Sequence, residues 1–345
     1  MNIALFSTKS NNHSFFVKNI TEHLQPEHNI HIITPDEFNV PDCSIVDNTN
    51  LMSLIHRFFG NTISLEQLIY NIKLDSEYKK FKKYDVLWNT GGVFSALFCG
   101  KLSKKYNIPY IVTYYRPTTP SMLLTASTQP NAFITSNQRQ QFYVELHNPS
   151  LSVHTIPPGI ELNHFSVTKT HPSLKHVKHP IFLTRDPLYK HNKTENIIQA
   201  ISRLDKGTLV VASEGPESRY IKALGEWLLG EERFVFLEPQ LYNHSSPLYS
   251  SADIYITTLE SEDYPRYALE ALASNIPVIY NQNDNHSWFI DDGGIPVDTN
   301  DEETFAKRIN TALYMEWKDK PKKRVEKFSV DRAVEQYNKL LDGFA

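Results

Sequence analysis

Two glutamates in the second half of the chain have the spacing to place both carboxylates beside one ligand. Glu262 lies in a predicted loop, and Glu270 lies eight residues later, in the helix that this loop enters. Free N–H groups at a helix N-terminus favour an anionic phosphate, and carboxylates accept hydrogen bonds from neutral sugar hydroxyls. Two carboxylates beside a phosphate site therefore suit a nucleotide-sugar, which has hydroxyls on both sides of its diphosphate. The alternative is a solvated acidic loop followed by a carboxylate on a helix surface.

A second candidate pair is cationic. Arg185 ends a predicted strand, and Lys190 follows five residues later. Arginine offers a planar fork of donors and lysine offers a point charge, and both residue types bind phosphate. For an isolated Arg–Lys pair, two solvated cations at a strand end are the alternative interpretation.

The elements that must position these residues alternate between strand and helix along both halves. The predicted strands are 2–7, 29–34, 85–88, 110–114, 132–135, 153–156, 180–184, 208–212, 234–236, 253–257 and 277–280. The predicted helices are 14–25, 94–106, 137–147, 194–204, 217–229, 266–274, 301–314 and 327–342. Such alternation predicts parallel, doubly wound α/β sheets, whose ligands lie beyond the carboxyl ends of the strands.

A chain of 345 residues is long enough for two such domains. The polar stretch 166–179 has no clear periodicity and is predicted to link them. We therefore expect one domain over 1–165, completed by 327–345, and a second over 166–326. Two doubly wound domains that face each other would form a cleft, where chemistry is to be sought.

Composition excludes several classes of protein. Hydrophobic residues make up 40% and charged residues 21%, which is typical of a globular chain, and the net charge of −4 disfavours nucleic acid as a partner. Two cysteines permit neither a disulfide framework nor a zinc site by themselves. No Asp–x–Asp sequence or ligand-like group of histidines occurs, so no metal is predicted. Residues 1–10 do not look like a signal peptide and no long apolar span occurs, which predicts a cytoplasmic protein.

The stretch 257–280 resembles a motif of the family-4 retaining glycosyltransferases of the GT-B fold, in which seven residues separate two glutamates. The matching apolar frame consists of Ala268, Leu269, Ala271, Ala273, Pro277 and Val278. The resemblance implies that Glu262 contacts the transferred sugar and that Glu270 contacts the ribose. Residues 263–265 read Asp–Tyr–Pro where the family usually has Gly–Phe–Gly, and the proline removes an N–H donor.

The segment around Arg185 and Lys190 resembles the family's Arg and Lys that bind the donor diphosphate. Fixed cations there would stabilise the charge that develops on the leaving phosphate. Residues 155–165, 209–218, 234–240 and 328–337 resemble further family segments, and the last implies a final helix that crosses back to the N-terminal domain. The resemblance implies further donor-binding residues besides Arg185, Lys190 and Glu262. They are Glu270, Tyr264, Pro265, Arg266, Glu238, Pro239 and Gln240. The last three would lie near the base and contact it mostly through their main chain.

The N-terminal half offers weaker candidates for the acceptor or sugar side. They are Asn12, His13, Gly91, Gly92, Tyr115 and Arg116. The first pair could replace a glycine-rich loop of the family, and the two glycines could admit close approach of a ligand. Tyr115 stands where many relatives have a histidine, and a packing role is its alternative.

Basic clusters in the first half leave a membrane contact open. They comprise Lys79, Lys80, Lys82, Lys83, Lys101, Lys104 and Lys105. With the apolar and basic stretch 51–60, they could dock on an anionic membrane surface. The alternative is a solvated helical face.

The resemblance implies a metal-independent retaining glycosyltransferase that works by front-face displacement and needs no cofactor. Its donor would be a UDP- or GDP-sugar, and its acceptor an unidentified hydroxyl of a glycan, a lipid-linked glycan or another molecule. Two alternatives stay open: a nucleotide-sugar epimerase of the same architecture, and a non-catalytic nucleotide- or glycan-binding relative.

Overall fold

The computed structural model describes residues 1–7, 19–33, 78–90, 92–115, 117–166, 169–260 and 262–344. The chain divides into two compact units. Unit 1 comprises Met1–Pro158 and Val330–Ala345, and unit 2 comprises Gly159–Ser329.

Unit 1 is built on a parallel sheet of six strands. The strands are β1 (Asn2–Phe6), β2 (Asn29–Ile33), β3 (Val86–Asn89), β4 (Tyr110–Tyr114), β5 (Ala132–Thr135) and β6 (Val153–Thr155), in the spatial order β2-β1-β3-β4-β5-β6. β3, β4 and β5 are buried along their whole length. Such near-continuous apolar runs fit a sheet that helices cover on both faces.

Helices cover both faces of the sheet of unit 1. On one face lie α1 (Val93–Tyr106), α2 (Pro120–Ala126) and α3 (Gln138–His147), which bury apolar residues against β1, β3, β4 and β5. On the other face lie the helical residues 19–24 and the final helix, Val330–Asp342.

The final helix returns to unit 1 because one stripe of its surface is apolar. Val330, Ala333, Tyr337 and Leu341 recur at helical spacing and are all buried there. The Tyr337 hydroxyl hydrogen bonds to the Thr113 Oγ1 at 3.0 Å, and the Trp88 Nε1 donates to the same Oγ1 at 2.9 Å. The predicted crossing of the C-terminal helix back to the first domain is therefore confirmed.

Unit 2 repeats the plan with a second parallel sheet of six strands. They are β7 (Ile181–Thr184), β8 (Thr208–Ala212), β9 (Phe234–Leu237), β10 (Ile254–Thr257), β11 (Val278–Asn281) and β12 (Gly294–Val297), in the order β12-β11-β10-β7-β8-β9. Its helices are α4 (Thr194–Ser202), α5 (Ser218–Leu229), α6 (Tyr242–Tyr249), α7 (Arg266–Ala273), α8 (Asp284–Ile290), α9 (Glu302–Tyr314) and α10 (Lys320–Val325); Val330–Asp342 is α11. Two apolar clusters, one on each face of this sheet, form the core.

The predicted alternation of strand and helix is confirmed in both units, with differences at particular elements. The sequence reading missed β12, which is only four residues long and includes a proline, and the short helices α2, α6, α8 and α10. The segment 159–165 packs in unit 2, where Ile160 N donates to Phe328 O at 2.9 Å and Phe165 is buried in the core. The stretch 51–60 lies outside the described residues.

Candidate functional site

The order of the strands in unit 2 reverses between β7 and β10. β8 and β9 lie on one side of β7, whereas β10, β11 and β12 lie on the other. In open parallel sheets, ligands bind beyond the carboxyl ends of the strands at such a reversal. Arg185 directly follows β7, and the loop that contains Glu262 follows β10, so the candidate residues of both motifs lie at this position.

Arg185 is held rigidly at the end of β7. Its Nη1 donates to Glu270 Oε2 at 2.9 Å and to the Tyr249 hydroxyl at 3.1 Å, and its Nη2 donates to Gln240 O at 2.7 Å. The guanidinium carbon lies 4.7 Å from the centre of the Tyr267 ring and 5.3 Å from that of Tyr249. Burial alone would lower the pKa of Arg185, but Tyr249 and Glu270 raise it, so the side chain is a fixed cation.

Glu270 lies in α7 and is fully buried. Its Oε2 accepts from Arg185 and, at 2.8 Å, from the Tyr249 hydroxyl, and its Oε1 accepts from Arg266 Nε at 2.8 Å. The carboxylate therefore lies between two guanidinium groups, one buried and one with a quarter of its side chain exposed. The sequence reading assigned Arg185 to the diphosphate and Glu270 to the ribose, and the two residues are in direct contact.

Glu262 is half-buried in the loop between β10 and α7. Its backbone oxygen accepts a hydrogen bond from Asn285 Nδ2, which ties the loop to α8. Burial and the nearby carboxyl groups of Asp186, Asp263 and Glu270 raise the pKa of Glu262 well above its usual range. A carboxyl group in this environment favours the protonated form, which both donates and accepts hydrogen bonds.

Side chains of the Asp–Tyr–Pro sequence and of the residue after it pack around the start of α7. Pro265 is buried and directly precedes the helix, and the Tyr264 ring packs edge-on against Phe289 at 5.6 Å between centres. The Tyr264 hydroxyl is buried and forms no hydrogen bond within the described part of the chain. Arg266 begins the helix, and its guanidinium lies 4.8 Å from the centre of the Tyr242 ring. A cationic and an aromatic side chain thus lie at the start of α7.

The predicted base-binding segment follows β9. Glu238 and Pro239 are exposed, and the side-chain amide of Gln240 donates to Glu238 O at 3.0 Å. The Gln240 backbone oxygen is the acceptor for Arg185. The main chain of this segment therefore helps to hold the cation in position.

Lys190 and Lys193 occupy different surroundings. Lys190 begins a 3₁₀ turn, is exposed, and makes no salt bridge within the ranges that the structure describes. Lys193, at the start of α4, contacts Glu260 and donates to Asn300 Oδ1 at 3.0 Å. It therefore lies beside the loop that leads to Glu262. Sequence reasoning missed Lys193, although its position directly before a helix start was visible.

Asp186 is a second residue that sequence reasoning missed. Its buried carboxylate accepts from the Thr257 Oγ1 at 2.8 Å, Thr258 N at 3.0 Å and the Tyr255 hydroxyl at 3.1 Å, which joins the ends of β7 and β10. Burial raises the pKa of Asp186 to about 6, and these hydrogen bonds only partly oppose the rise. A charged residue directly after a buried strand was the available signal.

The strand order of the first sheet also reverses, between β1 and β3. Asn12, His13, Gly91 and Arg116 lie outside the described residues. Gly92 precedes α1 in an extended conformation that any residue adopts.

Tyr115 has a packing role in unit 1. Its hydroxyl hydrogen bonds to the Tyr337 hydroxyl at 2.8 Å and donates to Ile156 O. Its polar end therefore helps to hold α11, which leaves acceptor binding by this residue a prediction. Among the described residues, no group of three or more His, Cys, Asp or Glu could hold a metal ion. Metal independence likewise stays a prediction.

Comparison with known proteins gives a family match over one unit and structural matches over the whole chain. Residues 167–329 match the family model described as glycosyl transferases group 1. A search of curated protein sequences finds no match. Sucrose-phosphate synthase from Thermosynechococcus elongatus superposes with a TM-score of 0.75 at 16% identity, over 99% of this chain and 98% of that one.

Two further structures match over nearly their full lengths. The lipopolysaccharide outer core galactosyltransferase WaaB gives a TM-score of 0.75 at 13% identity over 100% of both chains. Anabaena HepE in complex with UDP and glucose gives 0.71 at 15% identity over 99% of both chains. At these identities the likeness shows the fold, and it confirms the predicted GT-B architecture of two Rossmann-like parallel sheets.

Proposed function

We propose that this chain, whose residues 167–329 match the group 1 glycosyl transferases, transfers a sugar from a nucleoside diphosphate to a hydroxyl acceptor. The supporting observation is the convergence of Arg185, Glu262 and Glu270 at the point where the strand order of unit 2 reverses. The three residues come from two separate segments of the chain, and the fold brings them to one edge of one sheet. That edge is where parallel α/β folds bind nucleotides.

The fixed cation is suited to a leaving diphosphate. Departure of the sugar builds negative charge on the phosphate, and a positive group that is already in position stabilises that charge without reorganising. Arg185 meets this requirement because Glu270, Tyr249 and the Gln240 backbone restrain it. Its Nε is buried and has no hydrogen-bond partner in the described residues, so that it has donor capacity left. Lys190 and Lys193 are the further cations of this edge.

Glu262 suits the transferred sugar. A carboxyl group with a raised pKa can donate one hydrogen bond to a sugar hydroxyl and accept others. Glu270 would reach the ribose through its Oε1, on the side of Arg266, whose partly exposed side chain can turn away. Glu238, Pro239 and Gln240 would lie near the base, and Tyr264 and Pro265 beside the diphosphate. Transfer with retention, without metal, is the chemistry that the family resemblance implies.

A UDP- or GDP-sugar is the proposed donor. The Anabaena HepE structures contain UDP with glucose and UDP-glucose, which favours a uridine donor for this chain. Thermal-shift screening of the intact chain against UDP-, GDP-, ADP- and CMP-sugars tests this directly. A donor present at about 100 times its Kd should stabilise the folded state by about 2.7 kcal/mol.

Glu262→Ala separates donor binding from transfer. The variant removes only the half-buried carboxyl group that would contact the sugar, so we expect folding and the donor-induced thermal shift to persist while transfer falls about 100-fold. Glu303→Ala is the matched control, because Glu303 is exposed on α9 and pairs only with Lys307 among the described residues. Wild-type turnover by Glu262→Ala would contradict the proposal.

Two other activities give different results in the same assay. An epimerase would convert the donor when no acceptor is present, whereas a transferase needs a hydroxyl acceptor for efficient turnover. A non-catalytic binding protein would shift the melting temperature and consume no donor under any condition. The anomeric configuration of the product, read by NMR, tests retention.

A further inference from the structure

The outer face of the helical layer α1–α2–α3 in unit 1 combines exposed apolar side chains with positive charge. Leu97 on α1, Leu124 on α2, and Phe142 and Leu146 on α3 are 48–66% exposed. They are all the exposed large hydrophobic residues of unit 1 in the ranges that the structure describes. In unit 2, by contrast, such residues are spread over several elements, including Tyr220 and Trp227 on α5 and Tyr314 at the end of α9.

The three helices form one continuous layer. Right-handed crossovers from β3 through β4 and β5 to β6 all advance in the same direction across the sheet, so α1, α2 and α3 cover the same face. Their inward residues fill one apolar cluster with β1, β3, β4 and β5. The exposed residues therefore belong to the opposite, outward surface of this layer.

Helical spacing groups the exposed residues into stripes. On α1, Leu97, Lys101 and Lys104 follow one another at intervals of four and three residues, and all three are exposed. On α3, Arg139, Phe142 and Leu146 are exposed at intervals of three and four. Each stripe thus places a cation beside large apolar groups.

The charge of this region has the opposite sign to that of the chain. Residues 78–155 contain nine Lys and Arg but only two acidic residues, Asp85 and Glu145, whereas the whole chain has a net charge of −4. Asp85 precedes β3 and accepts a hydrogen bond from Asn2 N, and Glu145 is exposed on α3 next to Leu146. An apolar surface bordered by cations, with Glu145 as the one acidic residue of its three described helices, matches an anionic bilayer, since lysine and arginine are attracted to its headgroups and apolar side chains enter the interface.

We propose that the outer face of α1, α2 and α3 docks on an anionic membrane surface. No helix in the described part of the chain is long and apolar enough to cross a membrane, so the contact is peripheral. Leu97, Leu124, Phe142 and Leu146 enter the interface, and Lys101, Lys104, Lys105 and Arg139 contact the headgroups. This inference does not depend on the proposed transferase activity.

Vesicle co-sedimentation of the intact chain tests the proposal. We expect binding to vesicles of equal parts phosphatidylcholine and phosphatidylglycerol, and little binding to phosphatidylcholine alone. Leu124→Ser with Phe142→Ser should weaken binding at least about 10-fold. Lys101→Gln with Lys104→Gln should weaken it about 30-fold. Because all four side chains face solvent, the melting temperature should not change.

The matched control is Trp227→Ser with Tyr314→Ser, which removes two exposed aromatic residues of unit 2 and should leave vesicle binding unchanged. Absence of binding by the wild-type chain would overturn the proposal, as would equal loss of binding in the control. A second copy of the chain is the competing occupant. If a second copy covers this surface, sedimentation analysis would show a dimer, and Leu124→Ser with Phe142→Ser would dissociate it. The dimer would not bind vesicles. This result would also overturn the proposal.

Discussion

The contact between Arg185 and Glu270 makes a strong prediction about stability. Both side chains are buried and their nearest atoms are 2.9 Å apart. Removing one member of a buried ion pair leaves the other charge without compensation, which costs about 3–5 kcal/mol. We therefore expect Glu270→Gln to reduce the free energy of unfolding by about this amount, because Arg185 stays charged in its buried position. The partly exposed contact of Glu270 with Arg266 adds no more than about 1 kcal/mol.

A double variant of Arg185 and Glu270 measures the energy of the ion pair separately from the other contacts of each residue. Arg185→Met and Glu270→Gln should each be strongly destabilising, whereas Arg185→Met with Glu270→Gln leaves no unpaired charge in the interior. We expect the double variant to be more stable than the sum of the single effects by at least about 2 kcal/mol. Glu303→Gln is the control, since its exposed pair with Lys307 should contribute less than about 1 kcal/mol.

Urea unfolding followed by tryptophan fluorescence measures these differences. Of the four tryptophans, Trp227, Trp288 and Trp317 lie in unit 2 and Trp88 lies in unit 1, so the signal reports mainly on the unit that contains the pair. Thermal unfolding should show a fall of roughly 6–20 °C for Glu270→Gln. A change within about 0.5 kcal/mol, or strictly additive effects in the double variant, would refute the reasoning.

The remaining predictions concern pH and the final helix. The pKa of Asp186 is raised from its ordinary 3.8 to about 6, so the folded state binds more protons than the unfolded state between these values. The stabilisation that Asp186 contributes to the folded state is fully present below about pH 4, and about 3 kcal/mol of it is lost as the pH rises through 6. The urea midpoint of the wild-type chain should fall over this range, and that of Asp186→Asn should fall less. A pH profile of Asp186→Asn that is identical to that of the wild type would contradict this prediction. Tyr337→Phe removes the hydroxyl that hydrogen bonds to Thr113 and Tyr115 and should destabilise unit 1 by about 1–3 kcal/mol. A melting curve of this variant identical to that of the wild type would show that the hydroxyl does not help to hold α11.

Periodicity and strand length were sufficient to predict most elements of the fold. Long apolar runs such as Tyr110–Tyr114 and Thr208–Ala212 are central strands, and each matches its predicted range. The final helix was also visible, because its apolar residues recur at helical spacing and demand a partner surface. Glycine and proline interrupt the pattern of two elements that escaped prediction. β12 contains Gly294 and Pro296, and α6 has a proline within it, so neither shows a regular strand or helix pattern.

The position of the candidate site in the fold was predictable from the sequence, but the contacts between its residues were not. The spacing of Glu262 and Glu270 and the strand before Arg185 were enough to predict that these residues lie at one edge of the sheet. The pairing of Arg185 with Glu270 joins residues 85 positions apart, and no local pattern specifies which donor meets which acceptor. Asp186 and Lys193 were missed for the same reason, since their partners Thr257 and Glu260 belong to another strand and its loop.

Calorimetric titration of UDP and GDP into the intact chain tests most directly whether the residues around Arg185 form a diphosphate site. The wild-type chain should bind one nucleoside diphosphate per chain. Arg185→Met with Glu270→Gln should bind at least about 100-fold more weakly, because the charge-assisted hydrogen bonds to the phosphate are lost. Far-UV circular dichroism of the double variant would confirm that it is folded. If neither diphosphate bound the wild-type chain, or if the folded double variant bound as tightly, the account would be contradicted.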